Sequence, residues 1–431
     1  MKSFKFILLL LPFLYLNLHA QELEKAEIDP TYKQEIDQLL QHPKVKNAMG
    51  FIKANDNVTI QDNITLNEIP APPFGEDDRS LAFAQMMKKL GVDSIWIDDE
   101  GNALALRKGT KGDRTVVLDA HLDTVFPEGT DVKVRVNGDT LFAPGIGDDT
   151  RGLAMVLAVL RTMNAYDIQT EADVLFVGTV GEEGLGDLRG VKYLFREGGP
   201  KIDSWISIDG GELGRVNNKG LGSLRYRVIF RGPGGHSWGA FGLANPHHAA
   251  AAGIRHFVEA ADQFTSYGAR TSYNVGRMGG GTSVNSIPFS SWMEIDMRSH
   301  SPARLDSIAT ILKEAMQKGL EEQNAIRRRG RPLQLEMEVI GDRPSGELSA
   351  DLPLIQRAMA VSEYFGVEPR LTRGSTNANT PISMGIPAVT IGRGGTGGWG
   401  HSLLEYWVND EGYKGVQNAL LILLAESGLS K

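Results

Sequence analysis

His121 and Asp123 stand two residues apart, directly after the apolar, β-branched run Val116-Val117-Leu118. If the backbone is still extended there, positions i and i+2 face the same side. An imidazole and a carboxylate then lie side by side past a strand end. A neutral imidazole binds divalent cations, and a nearby carboxylate fixes its tautomer and raises its basicity. Other groups of the same chemistry follow strand-like runs or tight turns. Asp148 and Asp149 occupy Gly145-Ile146-Gly147-Asp148-Asp149-Thr150, ahead of an apolar stretch that reads as a buried helix. Either they cap that helix, or one carboxylate bridges two metal ions. Glu182 and Glu183 are framed by Gly181 and Gly184 after another apolar run. Adjacent side chains point apart, so one can bind a metal while the other faces a substrate. Asp209 ends the run 205–208, and His401 closes the glycine-rich stretch 392–400. The chain has no cysteine. Disulfides, thiolate metal sites and Fe–S clusters are therefore excluded, and any metal site uses His, Asp, Glu or water.

The elements that must position these groups are visible as patterns. Apolar spacing predicts a helix over 79–90, stopped by Gly91. Strands are expected at 94–97, 103–107, 116–118, 172–180, 205–208 and 388–391. Helix and strand patterns alternate to about residue 210, which predicts an α/β unit with a mostly parallel sheet. In such sheets ligands gather at the carboxyl ends of the strands. Gly392, Gly394 and Gly397 spell G-x-G-x-x-G, but no helix pattern opens there; the glycines are expected to shape the loop carrying His401.

With 431 residues, 41% apolar and 23% charged, the chain can bury a large core. A net charge of −8 without a basic face argues against a nucleic-acid partner. Lys2 and Lys5 precede the apolar residues 6–16, and Ala20 offers a small residue for cleavage. This predicts a signal segment over 1–20, export to the periplasm or beyond, and no membrane span after processing.

From about residue 60 onward the chain resembles the co-catalytic metallopeptidase family that includes peptidase T, carboxypeptidase G and acetylornithine deacetylase. The resemblance implies an α/β fold, a mostly parallel sheet sandwiched by helices, built from residues 21–217 and 344–431. Between them, 218–343 would form a ferredoxin-like β-α-β-β-α-β lid or dimerisation domain. Strands at 223–230, 271–275, 291–297 and 335–340, with helices at 247–264 and 303–326, match that order. Arg327, Arg328, Arg329 and Arg331 are expected to form a solvated turn after the second helix.

By the same resemblance, His121 and Asp209 hold one divalent ion and Glu183 and His401 a second, with Asp148 bridging. The ions would be zinc, or else cobalt or manganese. Asp123 would orient His121, and Glu182 would act as general base toward a metal-activated water. His236, in Gly234-Gly235-His236-Ser237, would steady an oxyanion, and Asn285 and Arg298 would grip the substrate's carboxylate end. Asn377 stands where the family usually carries Asp, and altered substrate contacts are expected from it. Asp at position 209, rather than Glu, leans toward aminopeptidases and dipeptidases. The expected function is an exopeptidase for short peptides, an aminopeptidase or a di- or tripeptidase. The alternatives are an N-acyl-amino-acid amidohydrolase, a carboxypeptidase, or a non-catalytic binding protein. A homodimer through the insert would let His236 serve the neighbouring subunit.

Overall fold

The structure, a computed structural model, describes residues 27–430. The segment 1–20 read as a signal lies outside the described residues. Among the described residues no helix is long and apolar enough to cross a membrane.

Three helices, Pro30–Gln41, Pro43–Ala54 and Asp56–Asn67, open the described chain. Proline at the first helical position starts each of the first two, and Asp29 caps the first by accepting from the Thr31 N–H at 2.8 Å. Their pattern is only scattered in sequence because short helices draw stability chiefly from packing. Ile36, Val45, Ala48, Ile52 and Leu66 are buried in the core shared with the central helix Thr150–Ala165.

The main sheet runs, in spatial order, Ser94–Ile97, Ala103–Arg107, Asp173–Thr179, Thr115–His121, Ser204–Ile208, Ala388–Ile391, Arg215–Gly220 and Gly346–Glu347. Arg370–Gly374 also pairs with Arg215–Gly220. The four strands from Asp173–Thr179 to Ala388–Ile391 are mutually parallel. The edge made by Ser94–Ile97 and Ala103–Arg107 is antiparallel, as is Arg215–Gly220 against Ala388–Ile391. The sheet is thus mixed, with a parallel centre. Parallel strands require burial on both faces. Val116 and Leu118 enter one core and Val117 the opposite one. Thr150–Ala165 is buried almost all round, which explains its unbroken apolar pattern.

The strand expected at 116–118 continues through His121. Residues 119–121 keep pairing with Val177, Gly178 and Thr179, so His121 is the strand's last residue.

A second, antiparallel sheet has the spatial order Thr271–Gly280, Ser290–Ser299, Gly222–Arg231, Gln334–Arg343. Helices Pro246–Thr265 and Pro302–Ala325 share its core with Val228, Phe230, Met293 and Ile295. This is the ferredoxin-like order. The helices cross at Gly253 and Gly319, where a Cβ on Gly319 would lie 2.5 Å from the Gly253 nitrogen. The arginines after the second helix form the expected solvated turn, with Arg328, Arg329 and Arg331 exposed and Arg327 half-buried, and hydrogen bonds hold it in place. The Arg328 N–H donates to Gly242 O at 2.9 Å, and the Arg329 guanidinium donates to Gly239 O at 2.5 Å.

Candidate active site

His121 is buried at the end of its strand. Its Nδ1–H donates to the Asp123 carbonyl at 3.0 Å, with the Asp123 carboxylate 3.5 Å away. That arrangement keeps the proton on Nδ1 and turns Nε2 inward. Nε2 lies 3.1 Å from Oδ1 of Asp148. The other oxygen of Asp148 lies 3.3 Å from Nε2 of His401, and the same Nε2 is 2.9 Å from Oε1 of Glu183. One carboxylate therefore offers an oxygen to each of two imidazoles. Ligand atoms of His121, Asp148 and Glu183 all lie within 4.8 Å of one another. Asp209, directly after Ser204–Ile208, lines the same cleft of about 300 Å³ together with Asp148, Glu182, Glu183 and His401. Parallel strands running the same way bring their carboxyl ends to one edge, and this convergence follows from that.

Two carboxylates hold the turns that carry these groups. Asp123 accepts the N–H of Glu182 at 2.9 Å and of Glu183 at 2.7 Å. The chain turns there through Gly181, at φ 66°, where a Cβ would fall 2.5 Å from Arg189 Cγ. Glu405 accepts the N–H groups of Gly145, Gly147 and Asp148 at 2.7, 2.9 and 2.9 Å. The sequence reading missed Glu405; its one signal is its place four residues after His401. Asp149 occupies the N-cap position of Thr150–Ala165, joined to Asp148 by a cis peptide bond, and accepts the His121 N–H at 3.3 Å. Of the two adjacent acids, one sits at the helix mouth and the other faces the imidazoles.

Burial pulls the Asp148 carboxyl upward, but hydrogen bonds from His121 and His401 outweigh it and hold it well below the ordinary range. Asp148 and Glu183 push His401 up to about 10. Burial works to lower His121, yet Asp123 and Asp148 carry it well above its usual value. The carboxylates thus demand positive charge between the imidazoles, and the donor set fits divalent cations, which would supply it. Burial raises Glu182 well above an ordinary glutamate; Arg343 opposes the rise and Glu183 adds to it.

Arg343, also missed in sequence, ends the strand Gln334–Arg343. It donates to Oε1 of Glu182 at 3.3 Å, to the Glu182 carbonyl, and to Ser375 Oγ at 3.1 Å. An arginine at a strand end carries no distinctive pattern. Arg225 and Arg298 line the cleft beside it, and both donate to Asp296, at 2.8 and 2.9 Å.

His236 and Asn285 do not line this cleft. They stand together on the second unit, exposed, where Gly235–His236 pairs with Ser286–Ile287 and the Ser237 N–H donates to Asn285 O at 2.9 Å. Nδ1 of His236 accepts from the Trp238 and Gly239 N–H groups, each at 3.2 Å. Asn377 departs from the expectation of a substrate contact. It is buried inside the sheet unit and donates to Asp119 at 2.7 Å and Thr179 at 2.6 Å. Its amide supplies a donor to Asp119, a buried carboxyl pushed up to about 7 by desolvation. A second carboxylate there would face the first at close range.

Residues 117–425 match the description Peptidase family M20/M25/M40. The chain belongs to this family. It is a metallopeptidase of the M20 type. Among its relatives, the uncharacterized protein YqjE of Bacillus subtilis is 23% identical over 79% of this chain and 91% of its own. Carboxypeptidase G2 of a Pseudomonas species is 27% identical over 65% of this chain and 66% of its own. The crystal structure of aminopeptidase PepT from Bacillus cereus shares the fold, with a TM-score of 0.66 and 22% identity over 85% of this chain and 97% of that one. An M20 assignment accounts for the mixed sheet and the second unit alike.

Proposed function

We propose that this M20 metallopeptidase is an exported exopeptidase for short peptides, acting as an aminopeptidase or as a di- or tripeptidase. The observation that carries the reading is the posture of Asp148, with one oxygen toward His121 and the other toward His401. His121 and Asp209 would hold one divalent cation and Glu183 and His401 a second, with Asp148 between; zinc is the first choice, cobalt and manganese the alternatives. When bound, such ions polarise a carbonyl and lower the pKa of water from about 16 toward about 7. The chain's own groups do the rest. Asp123 keeps the proton on Nδ1 of His121, so Nε2 presents its lone pair. Glu182 takes the proton of the attacking water and returns it to the departing amine, and its raised pKa suits both duties. Arg225 and Arg298 present guanidiniums to the substrate's carboxylate end. Asp209 in place of Glu, and the fold shared with an aminopeptidase, support the amino-terminal preference.

A second reading, an N-acyl-amino-acid amidohydrolase or a carboxypeptidase, draws on the three arginines of the cleft and on the likeness to carboxypeptidase G2. Metal analysis combined with hydrolysis of free-amino di- and tripeptides against N-acetylated amino acids separates the two. Amine release from the free-amino peptides is expected. Preference for the N-acetylated compounds moves the assignment to the second reading, and full metal loading without hydrolysis of either overturns both.

The domain division at 217/218 and 343/344 belongs to the same reading, as does a homodimer in which His236 and Asn285 reach the partner's cleft. Light scattering that gives a monomer at assay concentrations removes the dimer. Export rests on Lys2, Lys5 and the apolar residues 6–16, and is checked by sequencing the mature N-terminus.

A further inference from the structure

A second hollow, of about 390 Å³, is lined by Arg215, Arg370, Arg393, Thr372 and the glycine-rich run 394–397. Glu212 is the one carboxylate in its lining. Arg215 and Arg370 begin two neighbouring parallel strands and are paired directly across them. Like charges in that relation repel, and no carboxylate forms an ion pair with either among the described residues. Among the described residues the Arg215 guanidinium donates one long hydrogen bond, 3.5 Å to the Asp209 carbonyl. Arg393 follows Ala388–Ile391 and lies 3.9 Å from Asp148 Oδ1, and its buried Nη1 has no hydrogen-bond partner. Arg189, Arg225, Arg231 and Arg357, by contrast, each pair with a carboxylate.

We infer that Arg215, Arg370 and Arg393 form a binding site for a small oxyanion, a carboxylate or a phosphate, beside the metal-binding acids. Neighbouring strands lie about 4.8 Å apart, which lets two guanidinium forks address the oxygens of one anion. An anion there would relieve the repulsion between Arg215 and Arg370 and supply acceptors to Arg393. The anion could be the acidic group of a peptide seated in the adjoining cleft or a free ion from solution. The site does not depend on the peptidase reading, since it would fill whether or not a peptide is cleaved.

The test is calorimetric titration of the metal-loaded protein with succinate and with inorganic phosphate at fixed ionic strength. Saturable binding is expected. Arg370→Gln should weaken it by about tenfold, the loss of roughly one charge-assisted hydrogen bond. Glu212→Gln, which removes the one acid, should tighten it. Damage to the fold cannot produce opposite signs, and Arg370→Lys, which keeps the charge but loses the guanidinium fork, should also weaken the binding, whereas anions held at the metals would not respond to it. Titrations that both substitutions leave unchanged, or an absence of saturable binding, overturn the site. Peptides carrying Asp or Glu, set against their Asn or Gln counterparts, then identify the source. If Arg370→Gln erodes the preference for the acidic peptides, the anion belongs to the substrate. If it weakens succinate binding without changing that preference, the anion is a free one. Anion binding by a protein that cleaves no peptide would remove the peptidase reading and leave this one intact.

Discussion

On the sheet side of the cleft, the acids are set by buried carboxylates that grip backbone N–H groups: Asp123 holds Glu182 and Glu183, and Glu405 holds Gly145, Gly147 and Asp148. On the opposite side, Arg225 and Arg298 share Asp296, whose side chain is 31% exposed. That wall meets the sheet unit through Arg225 on Gly184 O, the Asp342 N–H on Asp187, and Arg343 on Glu182. Buried acceptors cannot be removed without stranding donors, which costs about 1–3 kcal/mol each. Half-exposed ion pairs contribute about 1 kcal/mol or less. The contrast sets an edge fixed by buried acceptors against a wall whose Arg225, Arg298 and Asp296 are held by more exposed pairs.

Changing each wall in turn tests that contrast. Glu182→Ala strikes the sheet side at its chemistry, and turnover is expected to fall roughly 10²–10⁴-fold with metal content intact. Near wild-type turnover would remove Glu182 from its role. Acid acts on the same wall through its imidazoles. His401, pushed up to about 10, and His121, raised well above its usual value, carry protons that metal must displace. Metal affinity should therefore rise with pH across roughly pH 6–9, by about tenfold per unit for each proton released. Affinity that is flat over that range, measured by chelator competition, contradicts the proton-for-metal exchange. Glu405→Ala leaves three backbone donors without their acceptor and should weaken metal binding by about 10–100-fold; wild-type affinity would show that the Asp148 turn holds itself. Asp296→Asn should raise KM a few-fold with kcat nearly unchanged, because Arg225 and Arg298 remain in the cleft wall. A loss as large as that of Glu182→Ala would erase the distinction between the walls.

Much of the sheet side was legible in sequence. His121, Asp148, Glu182, Glu183, Asp209 and His401 were read from strand ends and glycine turns, and the structure brings all six to one edge. The strands 94–97, 103–107 and 388–391 have the expected bounds. Less was legible of what holds the acids. Glu405 acts on N–H groups as far as 260 positions away, and Arg343 reaches Glu182 from the end of a strand in the second sheet. Altered substrate contacts were expected of Asn377 because the family usually carries Asp there, yet it points into a buried network around Asp119. His236 and Asn285 were read as substrate-binding residues, and they stand at neighbouring short strands outside the cleft, where the Ser237 N–H donates to Asn285 O.

Local sequence was enough to specify where strands end, where glycine lets the chain turn, and which side chains there can bind a cation. These follow from burial periodicity and backbone sterics within a few residues. Which oxygen faces which nitrogen, and which buried carboxylate secures each turn, was decided only when distant strands packed together. A hydrogen bond between groups hundreds of positions apart has no periodicity, and it exists only once the core beneath it has fixed both ends.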